Sequence, residues 1–89
     1  MGAATLNIIN EKGLHARASA KFVEVVESFD ARAEVTKDGE TVSGDSIMGL
    51  LMLGASSGTS IKVMTEGTEA ENLLLALQTL VANRFGEDY

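Results

Sequence analysis

The apolar residues of this 89-residue chain recur with two different spacings, and segments of the two kinds alternate along the sequence. An apolar residue at every second position is typical of a half-buried strand, whereas apolar residues three and four positions apart are typical of an amphipathic helix. A last helix is predicted between residue 68 and a stop at residue 86. The other predicted elements are strands over residues 5–9, 31–36, 40–43 and 60–65, and helices over residues 16–29 and 47–53.

Several boundaries between these segments carry residues that favour a turn or a helix start. Asp38-Gly39 is a typical two-residue hairpin turn, and Ser46 precedes the second helix as a candidate N-cap. Thr68 and Glu71 have the spacing of a capping box, in which two side chains satisfy free backbone N–H groups. Residues 87–89 follow the last helix and are predicted to be a frayed tail.

The resulting order of elements is β-α-β-β-α-β-α, and a chain of this length predicts one domain over residues 1–89. Four strands and three helices indicate an α+β fold. We expect an open-faced sandwich, in which a four-stranded antiparallel sheet is covered on one face by the three helices. The fourth strand can lie between the first two, which gives a split β-α-β arrangement.

The charge balance argues against two broad classes of function. Seven basic and thirteen acidic residues give a net charge of −6, whereas binding to nucleic acid or to an anionic membrane needs a basic face. Cysteine is absent and histidine occurs once, so neither a disulfide nor a usual metal site is expected. No signal peptide or membrane-spanning run is visible. We therefore expect a cytoplasmic protein without a cofactor.

The only histidine lies in the sequence GLHAR at positions 13–17, where the predicted loop becomes a helix. The first N–H groups of a helix have no partner within it, and together with the helix dipole they favour an anion such as phosphate. A neutral imidazole can attack phosphorus, and histidine is partly neutral near pH 7. Because Arg17 offers a fork of donors for phosphate oxygens, His15 is a candidate phosphoryl acceptor assisted by Arg17.

These residues alone leave other functions open. A single histidine near a helix start is more often a cap or a surface residue than a nucleophile, and short motifs match readily by accident. One alternative is an interaction or regulatory domain that senses a small molecule, in which His15 would be replaceable by alanine. An enzyme with turnover of its own is not indicated, because the sequence shows no nucleotide-binding loop and no acid–base set.

A second motif, DSIMGL at positions 45–50, accompanies GLHAR at positions 13–17. Together with the order of elements and the glycines before the fourth predicted strand, the two motifs resemble the HPr family over essentially the whole chain. Proteins of that family are the histidine-containing phosphocarriers of the bacterial phosphoenolpyruvate phosphotransferase system. The two motifs at this spacing, in a chain of this length, make the resemblance specific.

The resemblance implies that His15 takes a phosphoryl group from Enzyme I on its ring nitrogen Nδ1, with help from Arg17, and passes it to a IIA-type domain. It implies also that Ser46 matches the serine that HPr kinase/phosphorylase modifies in many relatives. A carrier that must leave each partner is expected to be a monomer. The residues expected to meet partners are Ala16, Arg17 and Ala20 in the first helix, and Ile47 and Met48 in the second.

Four positions depart from the common pattern of the family. Ala18 stands where many relatives have proline, and Glu24, Glu27 and Asp45 are acidic where relatives more often carry basic or neutral residues. Acidic residues beside a docking surface change the charge match with partners, so a nitrogen-regulatory branch fits the sequence at least as well as sugar transport. A coregulator of this family that works only through Ser46 fits less well, since such a protein usually lacks the histidine.

Overall fold

Four antiparallel strands form one sheet in the order β1-β4-β2-β3, in a computed structural model that describes residues 1–89. The strands are β1 (Gly2–Asn7), β2 (Arg32–Lys37), β3 (Glu40–Ser43) and β4 (Ser60–Glu66). Because β4 pairs with both β1 and β2, the predicted split β-α-β arrangement is confirmed. Val63 marks the middle of the sheet, since it lies opposite Ala4 on one side and Val35 on the other.

Three α-helices cover one face of the sheet, which confirms the predicted fold class. They are α1 (Ala16–Glu27), α2 (Ile47–Met52) and α3 (Ala70–Ala82), and a short 3-10 helix follows at Arg84–Gly86. The burial pattern of β4 shows the two faces, because buried and exposed residues alternate along its whole length. None of the helices combines the length and the apolar composition that a membrane crossing requires.

Apolar side chains from α1 and α3 fill the space between the helices and the sheet. Phe22 of α1 is fully buried there, and so are Leu73 and Leu77 of α3. Burial of side chains of this size contributes about 1.5–3 kcal/mol each. The spacing that predicted the two helices is therefore the spacing of the residues that face the sheet.

Two predictions of local structure are confirmed. Asp38 and Gly39 join β2 to β3 with φ angles of +51° and +83°, as a hairpin turn with two left-handed residues requires. The hydroxyl oxygen of Ser46 accepts a hydrogen bond from the backbone N–H of Gly49 at 3.0 Å and so caps α2. Both features depend on residues that are close in sequence.

The predicted capping box at Thr68 and Glu71 is wrong. The helix α3 begins at Ala70, its N-cap is Glu69, and no side-chain hydrogen bond caps it. The loop before β2 holds Glu69 instead. The backbone N–H of Glu69 donates to the Asp30 carbonyl at 3.0 Å, and its side chain accepts from the Asp30 N–H at 2.7 Å. These contacts between distant segments set the start of α3 and override the local motif.

The ends of other elements differ from the prediction by a few residues. Strand β1 begins at Gly2 rather than at residue 5, because its pairing with β4 extends to Gly2 opposite Thr65. Helix α1 ends at Glu27, where the N–H group of Ser28 turns back to the Val25 carbonyl at 3.1 Å. The available hydrogen-bond partners, rather than the apolar pattern, decide these boundaries.

Candidate functional site

His15 occupies the N-cap position of α1, where the loop from β1 becomes helical as the sequence predicts. Its backbone is extended, with φ −77° and ψ −178°, and its carbonyl accepts a hydrogen bond from the Ser19 N–H at 2.8 Å. The imidazole makes no capping bond to the helix. Since 27% of the side chain is exposed, the ring is accessible from outside.

A close approach of two backbone segments holds the loop that carries His15. Gly13 has a φ angle of +66°, and a Cβ atom at this residue would lie 2.5 Å from the Ala55 carbonyl oxygen and 2.8 Å from Cα of Ser56. The next residue, Leu14, is buried and donates its N–H to the same Ala55 carbonyl at 2.8 Å. Glycine is therefore required at residue 13 by both the backbone angle and the contact.

Asn10 supports the same loop from inside. Its side chain is fully buried, and Nδ2 donates to the Gly13 carbonyl at 2.8 Å and to Oε1 of Glu87 at 2.9 Å. Its Oδ1 has no partner, so these two bonds alone hold the amide. The other carboxylate oxygen of Glu87, Oε2, forms a hydrogen bond with Nε2 of His15. Hydrogen bonds thus join the side chains of Asn10, Glu87 and His15 in a line that runs from the interior to the cleft surface.

The prediction of a frayed tail at residues 87–89 is wrong. The tail turns back onto the loop before α1, where the N–H of Glu11 donates to the Tyr89 carbonyl at 3.0 Å. Phe85 anchors it from the other side, because its ring is fully buried and its carbonyl accepts from Nζ of Lys21 at 2.6 Å. Burial of an aromatic ring just before the tail therefore outweighs the polar character of its last residues.

The pKa of the Glu87 carboxyl is lowered from its ordinary value. The hydrogen bond from Asn10 is the largest cause, the hydrogen bond and charge of His15 and the charge of Lys12 act in the same direction, and burial opposes them. The carboxyl is consequently ionised at neutral pH and can only accept hydrogen bonds. The proton in its contact with His15 therefore belongs to Nε2.

A cleft of about 610 Å³ lies beside His15, between the first turns of α1 and the tail. Lys12, Arg17 and Lys21 bring positive charge to this cleft, and three acidic side chains line it as well. Arg17 is exposed and makes no ion pair within the chain. Its guanidinium is free to bind an anion next to the helix N-terminus, and both groups favour phosphate.

The other predicted site residues lie on α1 and α2, which pack against each other. Ser46 is half-buried and its hydroxyl takes part in the cap of α2. Ile47 and Met48 are 40% and 68% exposed, and Ala16 and Ala20 are exposed on α1. The structure thus places all of the predicted partner-binding residues on two neighbouring helices.

Sequence reasoning missed two parts of this site. Met52 is 73% exposed and extends the apolar surface of α2; the signal for it was a methionine in a helix too short to bury every side. Asn10 and Glu87 carry no comparable signal, because they meet only after the chain has folded. The apolar Phe85 beyond the last helical repeat was the one indication that the chain returns to the core.

Comparison with known proteins assigns the family. A family model for the PTS HPr component phosphorylation site matches residues 3–83. The phosphocarrier protein HPr of Neisseria meningitidis is 45% identical to this chain over 83 residues, which are 93% of each protein. The match therefore includes the sheet, the three helices and the loop that carries His15.

Solved structures agree with this assignment. The crystal structure of HPr-C-His from Thermoanaerobacter tengcongensis has a TM-score of 0.95 at 39% identity, and all of each chain is covered. A crystal structure of an HPr dimer from the same organism has a TM-score of 0.77 at 40% identity, with 98% of this chain and 100% of that chain covered. The chain belongs to the HPr family, the phosphocarriers of the phosphotransferase system.

Proposed function

We propose that this protein accepts a phosphoryl group on His15 from phospho-Enzyme I and passes it to a IIA-type domain. The observation that supports this best is the partly exposed imidazole at the N-terminus of α1, beside the unpaired Arg17. Backbone N–H groups, the helix dipole and a guanidinium can then act on the same anion. The protein works as a component of a relay and has no turnover of its own.

The transfer step uses the lone pair of Nδ1 of His15. This lone pair forms a bond to phosphorus while the bond between phosphorus and the donor atom breaks, and the electron pair of the broken bond leaves with the donor. A loose phosphoryl transfer of this kind needs alignment and charge stabilisation more than a second base. Arg17 supplies part of that charge, and the onward step to the IIA-type domain is the same exchange in the opposite direction.

The exposed side of α2 is the surface on which we propose that both partners dock. Ile47, Met48 and Met52 are exposed on this short helix, and contiguous exposed apolar side chains often mark an interaction site. Flexible methionine side chains suit a surface that must fit more than one partner. Ala16 and Ala20 add small side chains on the neighbouring surface of α1.

Ser46 is proposed as a regulatory phosphorylation site for HPr kinase/phosphorylase. A phosphate at the start of α2 would meet the favourable end of the helix dipole. The hydroxyl now accepts a hydrogen bond from the Gly49 N–H at 3.0 Å, so a kinase has to draw Ser46 out of its cap. Loss of such a cap costs about 1 kcal/mol, which is a small barrier to modification.

The working form is proposed to be a cytoplasmic monomer, because a carrier must leave one partner before it meets the next. Brief contacts of this kind depend on fast dissociation. Since a related protein has been crystallised as a dimer, analytical ultracentrifugation is the direct test. A single sedimenting species with the mass of one chain is expected, and a concentration-independent dimer would contradict the proposal.

Intact mass spectrometry tests the carrier function. After incubation with Enzyme I and phosphoenolpyruvate, we expect one added phosphate that is lost in acid and is absent from His15→Ala. Arg17→Ala should take up the phosphate about a hundredfold more slowly, because it removes one stabilising donor group. Circular dichroism checks that both variants are folded. No added phosphate on the unchanged protein with an active cognate Enzyme I would contradict the proposed function.

A further inference from the structure

The line of side chains from Asn10 through Glu87 to His15 joins residues from opposite ends of the chain. Asn10 donates to one carboxylate oxygen of Glu87 at 2.9 Å, and the other oxygen is bonded to Nε2 of His15. Asn10 is fully buried, and only 17% of the Glu87 side chain is exposed. A carboxylate held through both oxygens has a defined orientation relative to the imidazole.

This contact makes the two ring nitrogens of His15 different. Because the Glu87 carboxylate can only accept a hydrogen bond, the neutral ring carries its proton on Nε2. Nδ1 makes no hydrogen bond within the chain, so it holds the free lone pair. A carboxylate fixes the tautomer and orientation of a catalytic histidine in the same manner in serine hydrolases.

We propose that Glu87 is a positioning residue for phosphoryl transfer, which keeps the proton on Nε2, presents the lone pair of Nδ1 to phosphorus and offsets the charge that the ring gains. Asn10 acts through Glu87, since its amide holds the carboxylate in place. This inference rests on the proposed role of His15 as the phosphoryl acceptor.

The charge balance of the transfer explains why a carboxylate is useful at this place. When Nδ1 shares its lone pair with phosphorus, the donor leaves with the electron pair of the broken bond and the proton stays on Nε2. The imidazole therefore becomes a cation directly beside Glu87. When the phosphoryl group moves on, the lone pair returns to Nδ1 and the ring is neutral again. No proton has to be exchanged with water in either direction.

Other charged residues of the cleft do not make this contact. Glu11 and Asp88 line the cleft without a bond to the imidazole, and so do Lys12 and Lys21. Asp88 directly follows Glu87 and carries the same charge. The variant Asp88→Asn is therefore a matched control for the loss of one negative charge from the tail.

The first test measures the tautomer of His15 in the full, unphosphorylated chain by NMR of the ring ¹⁵N nuclei, at a pH where the ring is neutral. In Glu87→Ala the share of the Nδ1–H tautomer should rise about tenfold, because a hydrogen bond to a charged group contributes at least ~1.5 kcal/mol. Asp88→Asn should keep the tautomer ratio of the unchanged protein. A ratio that changes less than about twofold in Glu87→Ala would overturn the positioning role.

The second test measures the rate of phosphoryl uptake from phospho-Enzyme I. Glu87→Gln keeps the size of the side chain and removes its charge, so uptake should slow about tenfold, while Asp88→Asn stays within about twofold of the unchanged protein. An unaltered rate in Glu87→Gln would overturn the role in transfer. The tautomer test needs no phosphate, so a failure of the unchanged protein to accept phosphate would refute the carrier function separately. Amide NMR spectra confirm the fold of each variant.

Discussion

Replacing Gly13 by alanine should weaken the fold through one identifiable contact. The new Cβ atom would lie 2.5 Å from the Ala55 carbonyl oxygen and 2.8 Å from Cα of Ser56, both of which belong to backbone that cannot turn aside as a side chain can. Forced overlap in a packed region costs typically about 1–3 kcal/mol. The left-handed backbone angle adds about 1–2 kcal/mol for any residue with a Cβ atom. We therefore expect a total loss of about 2–5 kcal/mol.

The chain contains a matched control for the overlap. Gly54 has a φ angle of +62°, close to the +66° of Gly13, but a Cβ atom there would meet nothing within 4 Å. Gly54→Ala should therefore cost only the backbone term of about 1–2 kcal/mol. The difference between the two variants isolates the contact with the 55–56 backbone.

Urea unfolding followed by circular dichroism measures both variants, since a chain of this size is expected to unfold in one cooperative step. The free energy of unfolding of Gly13→Ala should lie about 1–3 kcal/mol below that of Gly54→Ala. Because the same contact places the loop before α1, Gly13→Ala should also slow phosphoryl uptake by His15. A difference in unfolding free energy below about 0.5 kcal/mol would refute the steric argument.

Two further predictions concern stability. Ser46→Ala removes the cap of α2 and should lower the free energy of unfolding in urea by about 1 kcal/mol, whereas Ser57→Ala in an exposed loop should change it by less than about 0.5 kcal/mol; equal effects would argue against the cap. Because the pKa of Glu87 is lowered in the folded chain, its ionised carboxylate stabilises the fold at pH values above the ordinary pKa of 4.5. This stabilisation is lost as the pH falls through the lowered pKa. Urea unfolding at stepped pH should therefore show the unchanged protein and Glu87→Gln converging in acid, and a difference that is independent of pH would contradict the linkage.

The features that could be predicted from sequence are those whose causes lie within a few residues. The spacing of Phe22 and its neighbours predicts α1, the pair Asp38-Gly39 predicts the hairpin, and Ser46 predicts the cap of α2. Each of these depends on local backbone geometry or on one face of a helix. The position of His15 at a helix start belongs to the same class, because it follows from where the helical spacing begins.

The features that sequence reasoning missed depend on contacts between distant residues. Glu87 forms a hydrogen bond with His15, from which it is separated by 72 positions in the sequence. Asp30 forms one with Glu69, which lies 39 positions away. The polar residues of the tail suggested that it is frayed, and the local motif at Thr68 and Glu71 suggested a capping box. Neither interaction changes the spacing of apolar residues, so neither can be predicted from the pattern that indicates helices and strands.

The central position of β4 in the sheet has a consequence for how the chain folds. Leu6 of β1 pairs with Ile61, and Val35 of β2 pairs with Val63, so neither β1 nor the inner side of β2 has a neighbour until β4 is available. During synthesis from the N-terminus, two strand edges stay open while more than half of the chain is made. The slow step of folding is therefore expected to be the insertion of β4 between β1 and β2, because strands far apart in sequence must meet before their contacts form.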